Sequence, residues 1–328
     1  MRPGRRDRQE VDVSSAWVRT PEVTFAYATA SVERLRELRE DLDALVSGAK
    51  LSDNETFRGY LDGLNFDLPE DLPHARSVVV LAVPSPLRRV RFHLNSEPLD
   101  VMMPPGYSLS GVAAEGLRNA VLTEVVGERG SDAVRPTLLQ LKPLAVRSGL
   151  ARYGRNNISY VEGMGSFLTL HAYFTDAELD DDSWGEVAFM ETCKNCDLCT
   201  RACPCGCFGR LGPVVDVGRC VTLYNEIEGE FPPEIDADAH DSLMGCMSCQ
   251  FCCPANQEAL GRAERLEDVS ERETRRILAG TPDPELMQSL SRKLKGFPPA
   301  ASEEHFPLLT RNLRVLVEKR GLAVPPAA

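Results

Sequence analysis

Apolar positions in the first half of the chain follow two rhythms. Val32, Leu35, Leu38, Leu42 and Leu45 recur at three-to-four spacing behind Ser31, a residue suited to capping, and the pattern stops near Gly48. That spacing predicts an amphipathic helix with one face against a core. Ser77 to Val83 is instead an unbroken apolar run closed by Pro84-Ser-Pro86. A run this short suits a strand buried on both faces. The stretch from Val112 to Val126 predicts a second helix.

From Arg88 to Met103, β-branched and aromatic residues flank Asn95-Ser96, the pattern of a hairpin. Lys142 to Leu150 predicts a helix ending at Gly149. Ile158 to Tyr160 and Phe167 to Phe174 predict strands separated by a turn at Gly163-Met-Gly165, and the acidic run 180–182 predicts a linker. Beyond Pro254 the sequence turns charged and helix-forming, with breaks at Gly280-Thr-Pro282 and Phe297-Pro-Pro299 and a last amphipathic helix carrying Leu313, Leu316 and Val317. These segments are expected to brace what precedes them. The expected organisation is an α/β domain over 1–182, a cysteine-bearing domain over 183–258 and a helical region over 259–328.

Composition adds little until charge and cysteine are considered. The 328 residues, 43% hydrophobic, suffice for a substantial core. Thirty-seven basic against forty-nine acidic residues give a net charge of −12, which opposes general binding to nucleic acid or anionic membranes. No window approaches a membrane span and the charged opening lacks the apolar stretch of a secretion signal, so a cytoplasmic protein is expected. All eleven cysteines lie between Cys193 and Cys253. Disulfides would be spread to close loops across the fold, whereas a metal site gathers its thiolates.

Cys193-Lys-Asn-Cys196-Asp-Leu-Cys199-Thr-Arg-Ala-Cys203-Pro204 is the C-x2-C-x2-C-x3-C-P signature of bacterial ferredoxins, whose fourth cysteine serves the other cluster. A second set, Cys246, Cys249 and Cys253-Pro254, follows a lone Cys220. The crossed ferredoxin rule pairs Cys193, Cys196, Cys199 and Cys253 on one [4Fe-4S] cube and Cys203, Cys220, Cys246 and Cys249 on the other. Structural zinc also uses C-x2-C knuckles, but it has no use for a third thiolate at that spacing or for two Cys-Pro exits. Cys205, Cys207 and Cys252 are left over, as alternative ligands, a redox pair or small residues packed against a cluster.

Arg147-Ser-Gly-Leu-Ala-Arg-Tyr-Gly-Arg-Asn156, Gly163-Met-Gly-Ser-Phe167, Tyr173-Phe-Thr-Asp176 and the eight-cysteine arrangement resemble epoxyqueuosine reductases and, more distantly, reductive dehalogenases. The resemblance covers about residues 76–256. It implies an α+β protein: a nitroreductase-like α/β domain that binds cobalamin, then a ferredoxin-like double [4Fe-4S] domain and a short helical C-terminal region. Electrons would pass from the clusters to cobalt, and the cobalamin would lie base-off against Arg152, Gly154, Arg155, Asn156, Gly163, Gly165 and Ser166. Counted without gaps from Gly149 through Pro143, the family's general-acid aspartate falls on Arg135, which cannot deliver a proton. Epoxyqueuosine is therefore not the expected substrate.

Substitute proton donors are Asp132, Tyr107, Tyr153 and Tyr160, each with an ordinary structural role as the alternative. Lys142, Arg147, Arg152 and Arg155 form a basic group within an acidic chain, suited to a phosphate or carboxylate or simply to a solvated helix face. His74, His93 and His171 lie in the first domain, and His171 falls in the strand after the glycine turn. Two functional expectations result. One is a cobalamin-dependent reductase of a small organic molecule, fed by a ferredoxin or flavodoxin type of donor. The other is an electron-transfer protein that reactivates a partner corrinoid protein.

Overall fold

The computed structural model describes residues 16–104, 111–130, 134–137, 139–179, 183–209, 214–295, 297 and 302–323. Tyr107, Asp132 and the expected linker 180–182 lie outside the described residues. A five-stranded antiparallel sheet organises the front of the molecule in the order β1 (Ala16–Arg19), β2 (Thr24–Ser31), β3 (Ser77–Pro84), β9 (Leu168–Thr175) and β6 (Val134–Pro136). Successive side chains of β3 point to opposite faces. Val78, Val80 and Ala82 meet α1 (Leu35–Ser47) and α4 (Leu141–Arg147), while Val79, Leu81 and Val83 meet α3 (Gly111–Ala120) and the wider helical turn Val121–Val126. Two helical layers on a central strand explain its continuous apolar run. The Ser31 side chain accepts the Glu33 amide, and a short 3-10 turn, Val32–Arg34, precedes α1. The first turn of the expected helix is thus tighter than α.

The hairpin forms as its sequence predicts. In β4 (Arg88–Leu94) and β5 (Glu97–Met103), Leu94 pairs with Glu97 across Asn95 and Ser96, whose φ values of 53° and 64° are those of a primed turn matched to strand twist. This hairpin does not pack with the large sheet. Val90, Phe92, Leu94, Leu99, Val101 and Met103 form a second core with α9 (Glu271–Ala279), α10 (Pro284–Lys293) and α11 (Phe306–Lys319). The short strand β10 (Glu264–Arg265) adds parallel to β4, so chain from both ends builds this core.

Helix α11 also braces the cysteine segment. The buried Asn312 donates to the carbonyls of Asn225 (2.9 Å) and Leu243 (3.0 Å), Arg311 reaches those of Tyr224, Ile227 and Gly229, and Lys319 those of Asp238 and His240. None of the helices among the described residues is long and apolar enough to cross a membrane.

One ion pair in the second core sets an acid limit on stability. Glu273 accepts from Lys293 Nζ (2.7 Å), Ser289 Oγ (2.6 Å) and the Ser270 amide (2.8 Å). Burial pushes its carboxyl up, but these donors outweigh burial and hold it at about 2 against an ordinary 4.5. A carboxyl lowered by folding stabilises above its unfolded value and ceases to do so as pH falls through its folded one. The contribution, up to about 3 kcal/mol, should therefore be present above pH 4.5 and disappear between there and about 2. Urea unfolding of wild type and Glu273→Gln across this range checks it: the variant should be weaker at neutral pH and show a flatter acid limb.

Candidate redox site

The first cysteine set sits at the surface. Cys193 and Cys196 lie in a largely exposed loop that leads into α5 (Leu198–Ala202), and Cys199 is buried beneath it. Arg155 pins this loop, its guanidinium donating to the carbonyls of Cys193 (2.5 Å) and Cys196 (2.7 Å) and its backbone N–H to Cys193 Sγ (3.4 Å). Donors aimed at a ligating sulfur favour the thiolate and tune a cluster. Cys199 lies within electrostatic reach of Cys193 and Cys252, and Cys252 within reach of Cys196 and Cys253.

Behind it lies the second set. Cys203 opens the tight loop Pro204-Cys-Gly-Cys207, whose turned-in N–H groups, with the Cys207 thiol at 3.4 Å, lower the Cys203 thiol to about 5. Cys207 also hydrogen-bonds Cys220, drawing that thiol down to about 7. Cys220 enters α6 (Val221–Glu226); Cys246 precedes and Cys249 lies within α7 (Ser248–Phe251), positioned by Asp241, which accepts from the Met247 amide (3.1 Å) and Ser248 Oγ (2.7 Å). Among the described residues no three His, Cys, Asp or Glu side chains converge as a site for a single metal ion. The thiols form two wider groups that meet where Cys249 comes within reach of Cys199. Cys205 and Cys207 are both buried, in an apolar group with Val221, Ile235 and Ala239.

The glycine segment turns out to be a joint. A Cβ on Gly165 would lie 2.5 Å from Asn256 Oδ1, and one on Gly154 would lie 2.5 Å from Asn156 Oδ1 and the Tyr160 ring. At Gly154 and Gly165 the missing Cβ lets protein approach protein. Asn256, fully buried, accepts the Ser166 N–H (2.9 Å) and donates to Ser166 Oγ (2.8 Å) and the Gln250 carbonyl (3.0 Å). Asn156 donates to Tyr160 Oη (3.0 Å). A pocket of about 280 Å³ lies on the other side of this segment, walled by Arg152, Tyr160, Gly163, Gly165, Met190 and Ala255.

The basic group disperses. Arg147 is bidentate to Asp41 (2.7 and 3.0 Å) and stacks on Trp184, Arg155 holds the first cysteine loop, Arg152 lines the small pocket, and Lys142 faces a different cavity. They do not form one anion site. Arg135 pairs with Asp71 at the sheet edge and lines neither cavity, so a gap-free count does not place it at the chemistry. Tyr153 is buried against Phe189, and Tyr160, beside Cys253, belongs to the small pocket; burial raises both phenols. His171 bonds Thr169 Oγ1 (3.0 Å), and burial lowers its ring.

The larger cavity, about 540 Å³, lies between β8 (Ser159–Tyr160), β9, α6 and the second cysteine set. Apolar side chains dominate, among them Phe57, Ile158, Leu168, Leu170, Val221 and Leu223, and the thiols of Cys203, Cys220, Cys246 and Cys249 line one side. None of the first set reaches it. Its charged wall residues are Lys142 and Glu226. Lys142 is an exposed residue of this wall, its ammonium donating to the Asn157 carbonyl (3.2 Å). Sequence reasoning missed Ser159, Glu226, Asp241 and Asn256, because no spacing links them to the cysteines they meet.

Fold and site together define a mixed helix-and-sheet protein carrying a ferredoxin-type cysteine segment braced by C-terminal helices. Its relatives are epoxyqueuosine reductases. The enzyme of that name from Escherichia coli (strain K12) is 33% identical over 133 residues, 40% of this chain and 33% of the relative. The chain thus spans about a third of the length of the curated relatives it matches. The epoxyqueuosine reductase structure from Bacillus subtilis superposes with a TM-score of 0.58 at 18% identity, covering 89% of this chain and 76% of that one. A further epoxyqueuosine reductase structure, bound to an epoxyqueuosine-modified tRNA stem loop, gives 0.54 at 19% identity over the same shares. No family model matches the chain.

Proposed function

We propose that this protein is an iron–sulfur oxidoreductase in which two [4Fe-4S] clusters carry electrons from a surface donor to a small organic molecule held in the larger cavity. One observation carries the reading: all four cysteines assigned to the second cluster line that cavity, with Cys205 and Cys207 beside them, whereas Cys193 and Cys196 of the first set lie in an exposed loop. The exposed loop is where a ferredoxin or flavodoxin type of donor would meet the chain. A mostly apolar cavity of about 540 Å³ is in the range that takes one small ligand. The net charge of −12 gives no steering toward RNA, so a small molecule rather than an epoxyqueuosine-bearing RNA is the proposed substrate.

Cobalamin, implied by the resemblance, would supply a strongly reducing cobalt centre. No step of the proposed path runs through cobalt. Reduction of a small organic molecule also takes up protons. Of the wall groups that exchange them, Lys142 and Glu226 lie where a bound molecule would touch them.

The test is reoxidation of the fully reduced, cluster-loaded chain, followed by its visible charge-transfer absorption. Small organic oxidants that enter the cavity should reoxidise wild type with saturation, and Leu170→Trp, which fills the cavity, should slow them about tenfold or more. Ferricyanide, acting at the exposed cluster, should be unaffected. Equal rates for wild type and Leu170→Trp with every organic oxidant would leave an electron-transfer protein without a substrate.

A further inference from the structure

Cys207 has no place in the electron path, because four other cysteines fill the second cluster's positions. Its sulfur is nevertheless held against one of them. Cys203 and Cys207 close a single tight loop: the Gly206 N–H donates to the Cys203 carbonyl (3.4 Å), the Cys207 N–H donates to Cys203 Sγ (3.4 Å), and the two sulfurs stand 3.4 Å apart. Reacting atoms held at about 3–3.5 Å are poised for bond formation. The two cysteines differ in access. Cys207 is 1% exposed, whereas Cys203 is half-buried and is followed by the exposed Pro204. A small molecule from solvent therefore meets Cys203 first, with Cys207 behind it. An accessible thiol with a second thiol placed to resolve its adduct is the arrangement of a reversible disulfide site. Cys207 also hydrogen-bonds Cys220, but Cys220 stands at the entry to α6, a separate element. Closure onto Cys203 stays within one loop and asks for no movement between elements.

We infer that Cys203 and Cys207 form a reversible disulfide with a low-molecular-weight disulfide as the oxidant, and that this bond and the second cluster exclude each other. Cys203 gives up its proton and attacks one sulfur of the small disulfide, whose S–S bond breaks. One half leaves as a thiol, and Cys203 remains in a mixed disulfide. Cys207 then attacks the Cys203 sulfur, the mixed S–S bond breaks, and the second half leaves with the Cys207 proton. The two protein thiols lose two electrons and two protons, and one small disulfide is reduced to two thiols. The exclusion rests on the assignment of Cys203 to the second cluster in the reading above. A thiolate is both the nucleophile and the metal ligand, so a sulfur bound to iron is not free to attack and a sulfur in a disulfide cannot ligate. The oxidised chain therefore needs a reductant before it can accept that cluster.

The probe is oxidised glutathione, one equivalent per chain, applied anaerobically to the full chain before and after cluster loading. Free thiols are then alkylated in denaturant and the chain is cut with trypsin, which leaves Cys203, Cys205 and Cys207 on the peptide 202–210 and Cys220 on another. In the cluster-free wild type this peptide should carry one alkyl group in place of three and no glutathione, and dithiothreitol should restore all three. Cys205→Ala should still form the bond, whereas Cys207→Ala should leave glutathione on Cys203. Iron uptake by the oxidised wild type should reach about four per chain, against about eight after dithiothreitol. The loaded chain should keep all three alkyl groups. Three alkyl groups in the oxidised cluster-free chain, a peptide 202–210 joined to that of Cys220, or loss of the bond in Cys205→Ala overturns the inference. The peptide result needs no iron, so a chain that failed to bind clusters would leave it unchanged. Bond formation in the loaded chain with eight irons kept would overturn the exclusion through the ligand assignment rather than through the thiol pair.

Discussion

Anaerobically reconstituted protein should hold about eight irons and eight sulfides per chain, and Cys199→Ala should hold about half as many. The expectation rests on the division of thiols: Cys199 belongs with Cys193 at the surface, while Cys203, Cys220, Cys246 and Cys249 face the cavity. Cys246→Ala should also halve the iron, but it should remove the cluster beside the cavity. Reoxidation by organic molecules should then fail while ferricyanide still reacts with the other. Cys205→Ala and Cys207→Ala should keep both clusters, since the crossed ferredoxin rule fills the second cluster's four positions without this buried pair. Cys252 and Cys253 are adjacent, and the crossed ferredoxin rule assigns the ligand to the one followed by proline. Cys253→Ala should therefore lose iron and Cys252→Ala should not. Iron analysis with electron paramagnetic resonance of the reduced samples checks each variant, and retention of eight irons in Cys199→Ala would refute the assignment.

Gly165→Val should destabilise the folded protein by about 3 kcal/mol or more, and the loss should appear as failed docking of the cysteine segment. Two costs add. The residue stands at φ +60°, a left-handed backbone that a β-branched side chain resists. Its Cβ would also lie 2.5 Å from Asn256 Oδ1 and 3.0 Å from the Ala255 carbonyl, in a joint that has no slack because Asn256 is fully buried and holds Ser166 and Gln250. Gly163→Ala makes the comparison: its Cβ would meet only Trp17, at 3.6 Å, so it should suffer the backbone strain without the clash. Urea midpoints of the three proteins measure the difference. Iron retention after a short urea pulse should fall in Gly165→Val and stay near wild type in Gly163→Ala. Equal midpoints for the two variants would show that the contact with Asn256 is not needed.

Much of the scaffold was legible because its signals are local. The β3 run, the α1 periodicity and the turn at Asn95-Ser96 each depend on neighbours within a few residues, and each element stands where its pattern puts it. The helix over Val112 to Val126 is cut short at Ala120 and continues as a wider turn to Val126, a change in winding that no periodicity announces. The pairing of the hairpin with helices more than 150 residues away was invisible, since apolar alternation says that a face is buried but not by what. The neighbour of the glycine segment was invisible for the same reason. An absent Cβ announces a close approach, and at Gly165 the fold brings Asn256 there.

By itself, then, the sequence determined the kind of chemistry: eleven cysteines in one short segment, spaced as cluster ligands, in an acidic chain with a large apolar core. Spacing suffices there because a cube's sulfurs must be reached by side chains a few residues apart, a constraint that acts along the chain. How the thiols are placed was decided only by tertiary structure. It turned one set of thiols to the surface and the other to a cavity whose remaining walls come from β8, β9, α4 and α6. It also separated four cations that are close in sequence, pairing Arg147 with Asp41 and Arg155 with the first cysteine loop, and setting Lys142 on the Asn157 carbonyl at the wall of that cavity. Charges read along a chain add up; in a folded protein each is worth what its own partners and its own exposure make it.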